Sequence, residues 1–137
     1  MKELVLDTSV AVAWYLPEDF SAAARRWQQS LLTEQIALFA PSLHFWEFAN
    51  VLRSYVSRRE IDEALATEIY ELHLEAPIAA VEPERASVLS AAFEYRATAY
   101  DAVYIAICLE HDLALLTAKK STTPWVVKLA HRAELVR

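Results

Sequence analysis

Glu3-Leu4-Val5-Leu6-Asp7-Thr8-Ser9 is the stretch from which the fold is read. Three apolar residues in a row, bounded by polar ones and ending on an acid, spell a short strand. Thr8 or Ser9 can cap a helix behind it. Strands covered on both faces lose the alternation of a half-exposed sheet, so the run predicts a parallel sheet with helices on either side.

Outward from that stretch the same grammar repeats. Pro17 ends the first helical piece. Phe20 to Leu32 is amphipathic, with Ala23, Trp27 and Leu31 at helical spacing. Ile36 to Ala40 is a second apolar run stopped by Pro41, and Ser42 opens a helix that reads to about Ser57 through Phe45, Phe48, Leu52 and Tyr55. Asp62 caps another helix, bearing Leu65, Ile69 and Leu72, which Pro77 closes. Ile78 to Val81 is a third strand, and Pro83 suits the first turn of a helix through about Tyr95. Thr98 opens a helix to His111, and Leu113 to Thr117 is a fourth strand. Trp125 to Ala130 reads as helical and Glu134 to Arg137 as an edge strand. Alternating strands and helices, without repeat or linker, predict one α/β domain over residues 1–137.

Composition narrows the function classes. A net charge of −6 disfavours a protein that coats nucleic acid through bulk charge, though not an enzyme whose acids hold metal ions. Arg25, Arg26, Arg53, Arg58, Arg59, Arg96, Lys119 and Lys120 could still form a local basic rim. No run reaches the roughly 18 apolar residues of a membrane span, and a soluble, cytoplasmic protein is expected. Cys108 is the single cysteine and sits in an apolar run, as a small core residue would. There is no glycine, and Asn50 is the only asparagine, a bias that fits a thermophile. Four tryptophans, Trp14, Trp27, Trp46 and Trp125, exceed what a small core must hide, and the helix from Phe20 to Leu32 is expected to offer some of that surface to a partner.

Three acids stand where acids are costly. Asp7 ends the first strand, and ligands of parallel sheets gather at the carboxyl ends of strands. Its competing role is to cap the next helix. Glu47 sits among Leu43, Trp46, Phe48 and Val51, with His44 the one basic residue a turn away on its N-terminal side and Arg53 too far round the helix to pair with it. Asp101 opens the apolar helix Ala102 to Leu109, where Thr98-x-x-Asp101 also resembles a capping box. An oxygen-only set of this kind suits Mg²⁺ or Mn²⁺. His44, His73, His111 and His131 show no zinc-site spacing, and without glycine there is no phosphate-cradling loop.

With these residues in view, the chain resembles the PIN-domain family, in particular its small toxin ribonucleases of the VapC kind. The resemblance rests on Val5-Leu6-Asp7-Thr8-Ser9, on Pro41 to Leu52 around Glu47, on Tyr100-Asp101-Ala102-Val103-Tyr104-Ile105-Ala106, and on Leu115-Leu116-Thr117-Ala118. It implies a three-layer α/β/α sandwich with a short, mainly parallel sheet. It also implies an endoribonuclease that uses Mg²⁺ or Mn²⁺, forms a homodimer and is silenced by a small antitoxin protein. By that resemblance Asp7, Glu47 and Asp101 are the catalytic metal ligands, and Thr8 or Ser9 and Thr117 support them or touch the RNA phosphate. The family pattern places a fourth acid after Leu-Leu-Thr-Ala, where this chain has Lys119 followed by Lys120. Lys119 therefore keeps open a second reading, a weak or inactive PIN scaffold that binds RNA or a protein. A dehalogenase-like phosphatase, which needs another aspartate two residues after the first, is disfavoured by Ser9.

Overall fold

A computed structural model describes the whole chain, residues 1–137. Five strands form one sheet: β1 (Lys2–Leu6), β2 (Ile36–Ala40), β3 (Ile78–Ala80), β4 (Ala114–Thr117) and β5 (Ala133–Leu135). Their order is β3-β2-β1-β4-β5 and every pairing is parallel. The C-terminal edge strand, whose direction the sequence left open, also runs parallel. Helices α1 (Thr8–Tyr15), α2 (Ser21–Leu32), α3 (Ser42–Ser57), α4 (Glu63–Leu74), α5 (Arg85–Tyr95), α6 (Ala99–His111) and α7 (Pro124–Leu129) complete an α/β/α sandwich. No helix is long and apolar enough to cross a membrane.

Successive residues of a strand point to opposite faces, and this divides the core in two. Leu4, Leu6, Leu38 and Leu116 face α1 to α4, packing with Val10, Trp14, Phe48 and Ile69. Val5 and Leu115 face the other layer, with Tyr104, Ile105, Trp125 and Leu129 of α6 and α7. Each such buried aliphatic or aromatic side chain contributes roughly 1.5–3 kcal/mol relative to exposure. Cys108 lies in the second cluster, where burial pushes its thiol up to about 12 and keeps it an inert core residue.

Local signals were realised unevenly. Asp62 caps α4 by accepting from the Leu65 N–H, and Thr98 caps α6 by accepting from the Asp101 N–H. The expected cap at Thr8 or Ser9 does not form: Asp7 takes the capping position without a side-chain cap, because all three side chains are engaged elsewhere. Pro83 stays outside α5, which begins at Arg85. Trp27 on α2 is partly buried beneath Lys2, whereas the most exposed tryptophan is Trp46 on α3. The largest exposed tryptophan surface therefore lies on α3, and the Phe20–Leu32 helix offers only part of Trp27.

The absence of glycine leaves a trace in the backbone. Glu34, Arg59, Arg96, Asp112 and Ala130 all have positive φ, and each stands just beyond a helix, where glycine is the usual stop. Ala130 is the most strained, with φ 53 and ψ −119, outside the left-handed helical basin that other residues tolerate.

Candidate metal centre at the sheet switch point

β1 is flanked by β2 on one side and by β4 on the other, so the order of connection reverses there. Such a switch point opens a crevice at the carboxyl ends of the strands. Asp7 stands directly beyond β1, its N–H bonded to the Leu116 carbonyl at 3.0 Å. Thr117 ends β4 beside it. The Thr117 hydroxyl donates to Asp7 Oδ2 at 2.7 Å and the Ser9 hydroxyl donates to the same oxygen at 3.0 Å. Oδ1 accepts from no donor in the chain. Asp7 is almost fully buried, yet it has one oxygen held and the other unengaged.

Glu47 reaches the same edge from α3 and repeats the pattern. Tyr104 of α6 donates to Glu47 Oε1 at 2.6 Å and Thr8 donates to it at 2.9 Å. Burial raises the Glu47 pKa, the two hydroxyls oppose that rise, and repulsion from Asp7 and Asp101 adds to it. The apolar surround read from the sequence was partly misplaced: Phe48 is buried, but Trp46 is exposed and Leu43 and Val51 are half-buried. Tyr104 and Thr8 enclose the carboxylate instead.

Asp101 enters from the first turn of α6. Its pKa is raised, first by burial and then by Asp7, against the lowering influence of Lys119, the Thr98 hydroxyl and the Trp125 indole. At both Glu47 and Asp101 burial contributes more to the rise than repulsion between the carboxylates does. Lys119, half-buried just after β4, is close enough to favour the charged form of Asp101 yet makes no ion pair with any acid. Its own N–H donates to the Thr117 hydroxyl at 3.1 Å. The four ion pairs of the chain all lie elsewhere, and Asp112 is taken by Arg132 at 2.7 Å, away from this edge.

The sequence-chosen residues Asp7, Thr8, Ser9, Glu47, Asp101, Thr117 and Lys119 thus share one edge of the sheet. They do not close into a tight cage, since no three His, Cys, Asp or Glu side chains form a group that could by itself hold an ion. The mutual repulsion of the carboxylates and the lack of a cage together describe a loose acidic edge. A hard cation such as Mg²⁺ keeps several waters and takes only one or two carboxylates, so the all-oxygen donor set fits one. Beside the edge lies a cleft of about 440 Å³ lined by Ser9, Tyr55, Lys119, Lys120, Thr123 and Arg137. Of the basic rim read from the sequence, only Lys119 and Lys120 line it, and Arg137 joins them. Sequence reasoning gave no site role to Tyr104, to Trp125 or to His44, whose ring lies behind Thr8 at 3.2 Å.

Switch-point crevice, acidic edge and parallel sandwich define a class, and the PIN domain family matches residues 4–120. The chain belongs to that family, whose members are in general nucleases that need metal ions. Among solved structures, the chain is similar to the one described as the crystal structure of PAE2754 from Pyrobaculum aerophilum. The TM-score is 0.73 over 98% of this chain and 91% of that chain, at 23% identity, a likeness of fold. No curated protein sequence matches the chain.

Proposed function

We propose that the chain is a Mg²⁺- or Mn²⁺-dependent endoribonuclease, the toxin of a toxin–antitoxin pair, with Asp7, Glu47 and Asp101 as its metal ligands. One observation carries the reading: carboxylates from three separate elements gather at the switch point, two with one oxygen hydrogen-bonded and the other unengaged, and none paired with a basic side chain. Buried acids without counter-charge raise their own pKa, and a divalent cation relieves that cost. When bound, the ion would supply an activated water and charge stabilisation at the scissile phosphate. The chain's own part is to orient Asp7 through Ser9 and Thr117, to orient Glu47 through Thr8 and Tyr104, and to offer Lys119, Lys120 and Arg137 as cations along the cleft for RNA phosphates. Nuclease membership and the VapC-like motifs support RNA as substrate and a small antitoxin as the silencing partner.

Lys119 favours the second reading, a scaffold that binds RNA or protein without cutting, because an ammonium at the fourth acidic position opposes a second divalent ion. Cleavage of a generic single-stranded RNA with Mn²⁺ separates the two. The parent chain is expected to cut, and Asp101→Asn to lower the rate by at least about 100-fold, as loss of a ligand should. A parent that binds the RNA and leaves it intact supports the scaffold.

A homodimer is part of the same proposal. Trp46 (66% exposed), Tyr100 (65%), Leu89 (62%) and Phe93 (75%) bring large apolar side chains to the surface of α3, α5 and the start of α6. Trp46 and Tyr100 line one groove of about 550 Å³. Aromatic anchors of this kind suit the centre of an interface between two copies. Light scattering should give twice the chain mass, and Phe93→Glu should halve it; a monomeric parent contradicts the dimer.

A further inference from the structure

Behind the acidic edge runs a buried polar chain that the proposed chemistry leaves unused. His44 of α3 and His73 of α4 are both fully buried, and their Nε2 atoms meet at 2.9 Å. On one side His44 Nδ1 lies 3.2 Å from the Thr8 hydroxyl, which touches Glu47. On the other, His73 Nδ1 lies 3.0 Å from the Tyr15 hydroxyl. Six contacts thus join Tyr15, His73, His44, Thr8 and Tyr104 to a single oxygen of Glu47, one of them between the Thr8 and Tyr104 hydroxyls.

Proton counting and acceptor strength together set their direction. An ionised Glu47 can only accept, and Thr8 and Tyr104 each carry one hydroxyl proton. The Thr8 hydroxyl also lies 2.9 Å from the Tyr104 hydroxyl, so its one proton has three acceptors within reach, and the carboxylate is the strongest because a hydrogen bond to an ionised acceptor is about twice as strong as a neutral one. Thr8 therefore donates to Glu47 and must accept from His44, so His44 carries its proton on Nδ1. A neutral imidazole carries one proton only, so His44 Nε2 is bare and accepts from His73 Nε2–H. His73 Nδ1 is bare in turn and accepts from the Tyr15 hydroxyl. Burial supports two neutral rings, and the Leu6 carbonyl also faces His44, which favours a protonated ring nitrogen.

We infer that His44 and His73 are positioning residues, each locked in one tautomer, that keep the Thr8 proton on Glu47 Oε1 and so leave Glu47 Oε2 as the oxygen available to a ligand. Neither touches the reacting groups; they act through Thr8. Partners of this kind, one step behind a ligand, set its orientation and its affinity for metal. The inference deepens the metal-nuclease reading, and its metal arm rests on it.

Nitrogen-15 NMR of the imidazoles in the whole chain at neutral pH tests the direction without any metal. His44 should show the Nδ1–H tautomer and His73 the Nε2–H tautomer, and Thr8→Val should release His44 from its state. The opposite tautomers in the parent, or a pattern indifferent to Thr8→Val, overturn the inference. Mn²⁺ calorimetry tests the consequence. His44→Phe should weaken binding by about tenfold or more. His44→Asn, whose amide NH₂ can stand at the Nδ1 position, should recover most of it. Thr8→Val, which removes the hydrogen bond to Glu47 itself, should weaken binding at least as much as His44→Phe, and the double variant should be no worse than Thr8→Val, because His44 acts only through Thr8. Equal losses for Phe and Asn, or additive losses in the double variant, reduce His44 to a structural role. A parent that binds no Mn²⁺ overturns the metal reading and the role in ligand orientation, while the tautomer pattern still decides the direction of the chain.

Discussion

The histidine pair and the carboxylate edge are two polar regions on either side of Thr8, and they meet burial in opposite ways. His44 and His73 lie wholly inside the α-layer, and every ring nitrogen has a partner. Burial lowers their pKa values to about 3 and about 4, so they are neutral where the protein works. No side-chain nitrogen or oxygen that is wholly cut off from solvent lacks a hydrogen bond, so the unengaged Asp7 Oδ1 keeps some exposure in the crevice. At the edge, Glu47 and Asp101 are pushed toward protonation by burial, and no basic side chain pairs with them. The first region is complete in itself. The second carries charge that no basic side chain pairs, and on that difference the proposed metal site rests.

The comparison breaks first under acid. An unfolded histidine takes up a proton near pH 6.5, whereas the buried pair does so only near its lowered values. Their contribution to stability is therefore full above pH 6.5 and is lost as the pH falls toward 4, at about 2 kcal/mol per histidine by pH 5. The raised carboxylates work the other way: without metal they cost stability at neutral pH, and the cost eases as the pH falls into the carboxylate range. Urea midpoints at pH 7 and pH 5 should therefore drop steeply for the parent. A variant carrying His44→Phe and His73→Leu should show a much flatter response. Equal midpoints for the parent at both pH values would contradict neutral buried rings.

Lys119 sharpens the other half. It already favours the charged form of Asp101 without forming an ion pair, so it acts as a weak internal substitute for a cation. Lys119→Asp should tighten Mn²⁺ binding by about tenfold, a gain of roughly 1.4 kcal/mol, and raise RNA cleavage. Unchanged affinity would remove Lys119 from the site. A smaller effect, independent of both polar regions, is expected at Ala130. Its backbone occupies a region that suits only glycine, so Ala130→Gly should raise the melting free energy by about 1 kcal/mol. A lower melting temperature would show that the strain is not costly.

How much of this was legible in the sequence followed distance along the chain. Asp7, Glu47 and Asp101 could be chosen because each sits at a strand end or in an apolar helix, a local conflict visible in a few residues. The parallel sheet was legible for the same reason, from short apolar runs such as Leu4-Val5-Leu6. What holds the acids was not. His73 meets His44 across 29 residues and Tyr104 meets Glu47 across 57, and neither helix pattern marks those side chains as anything but core. That Trp46 is more exposed than Trp27 was not legible, because exposure depends on what other elements cover. Lys2 of β1 lies 5.7 Å from the Trp27 ring, and no helical periodicity records that.

Metal-dependent stabilisation is the most direct test of the central claim, that the carboxylate edge is built for a divalent cation. The parent's melting temperature should rise with millimolar Mn²⁺ and Mg²⁺, following mass action at the free-ion concentration. Glu47→Gln should melt higher than the parent without metal, because a buried charge has been removed, and should lose most of the metal-induced rise. A parent indifferent to both ions, or a Glu47→Gln chain that responds to Mn²⁺ as the parent does, would contradict it.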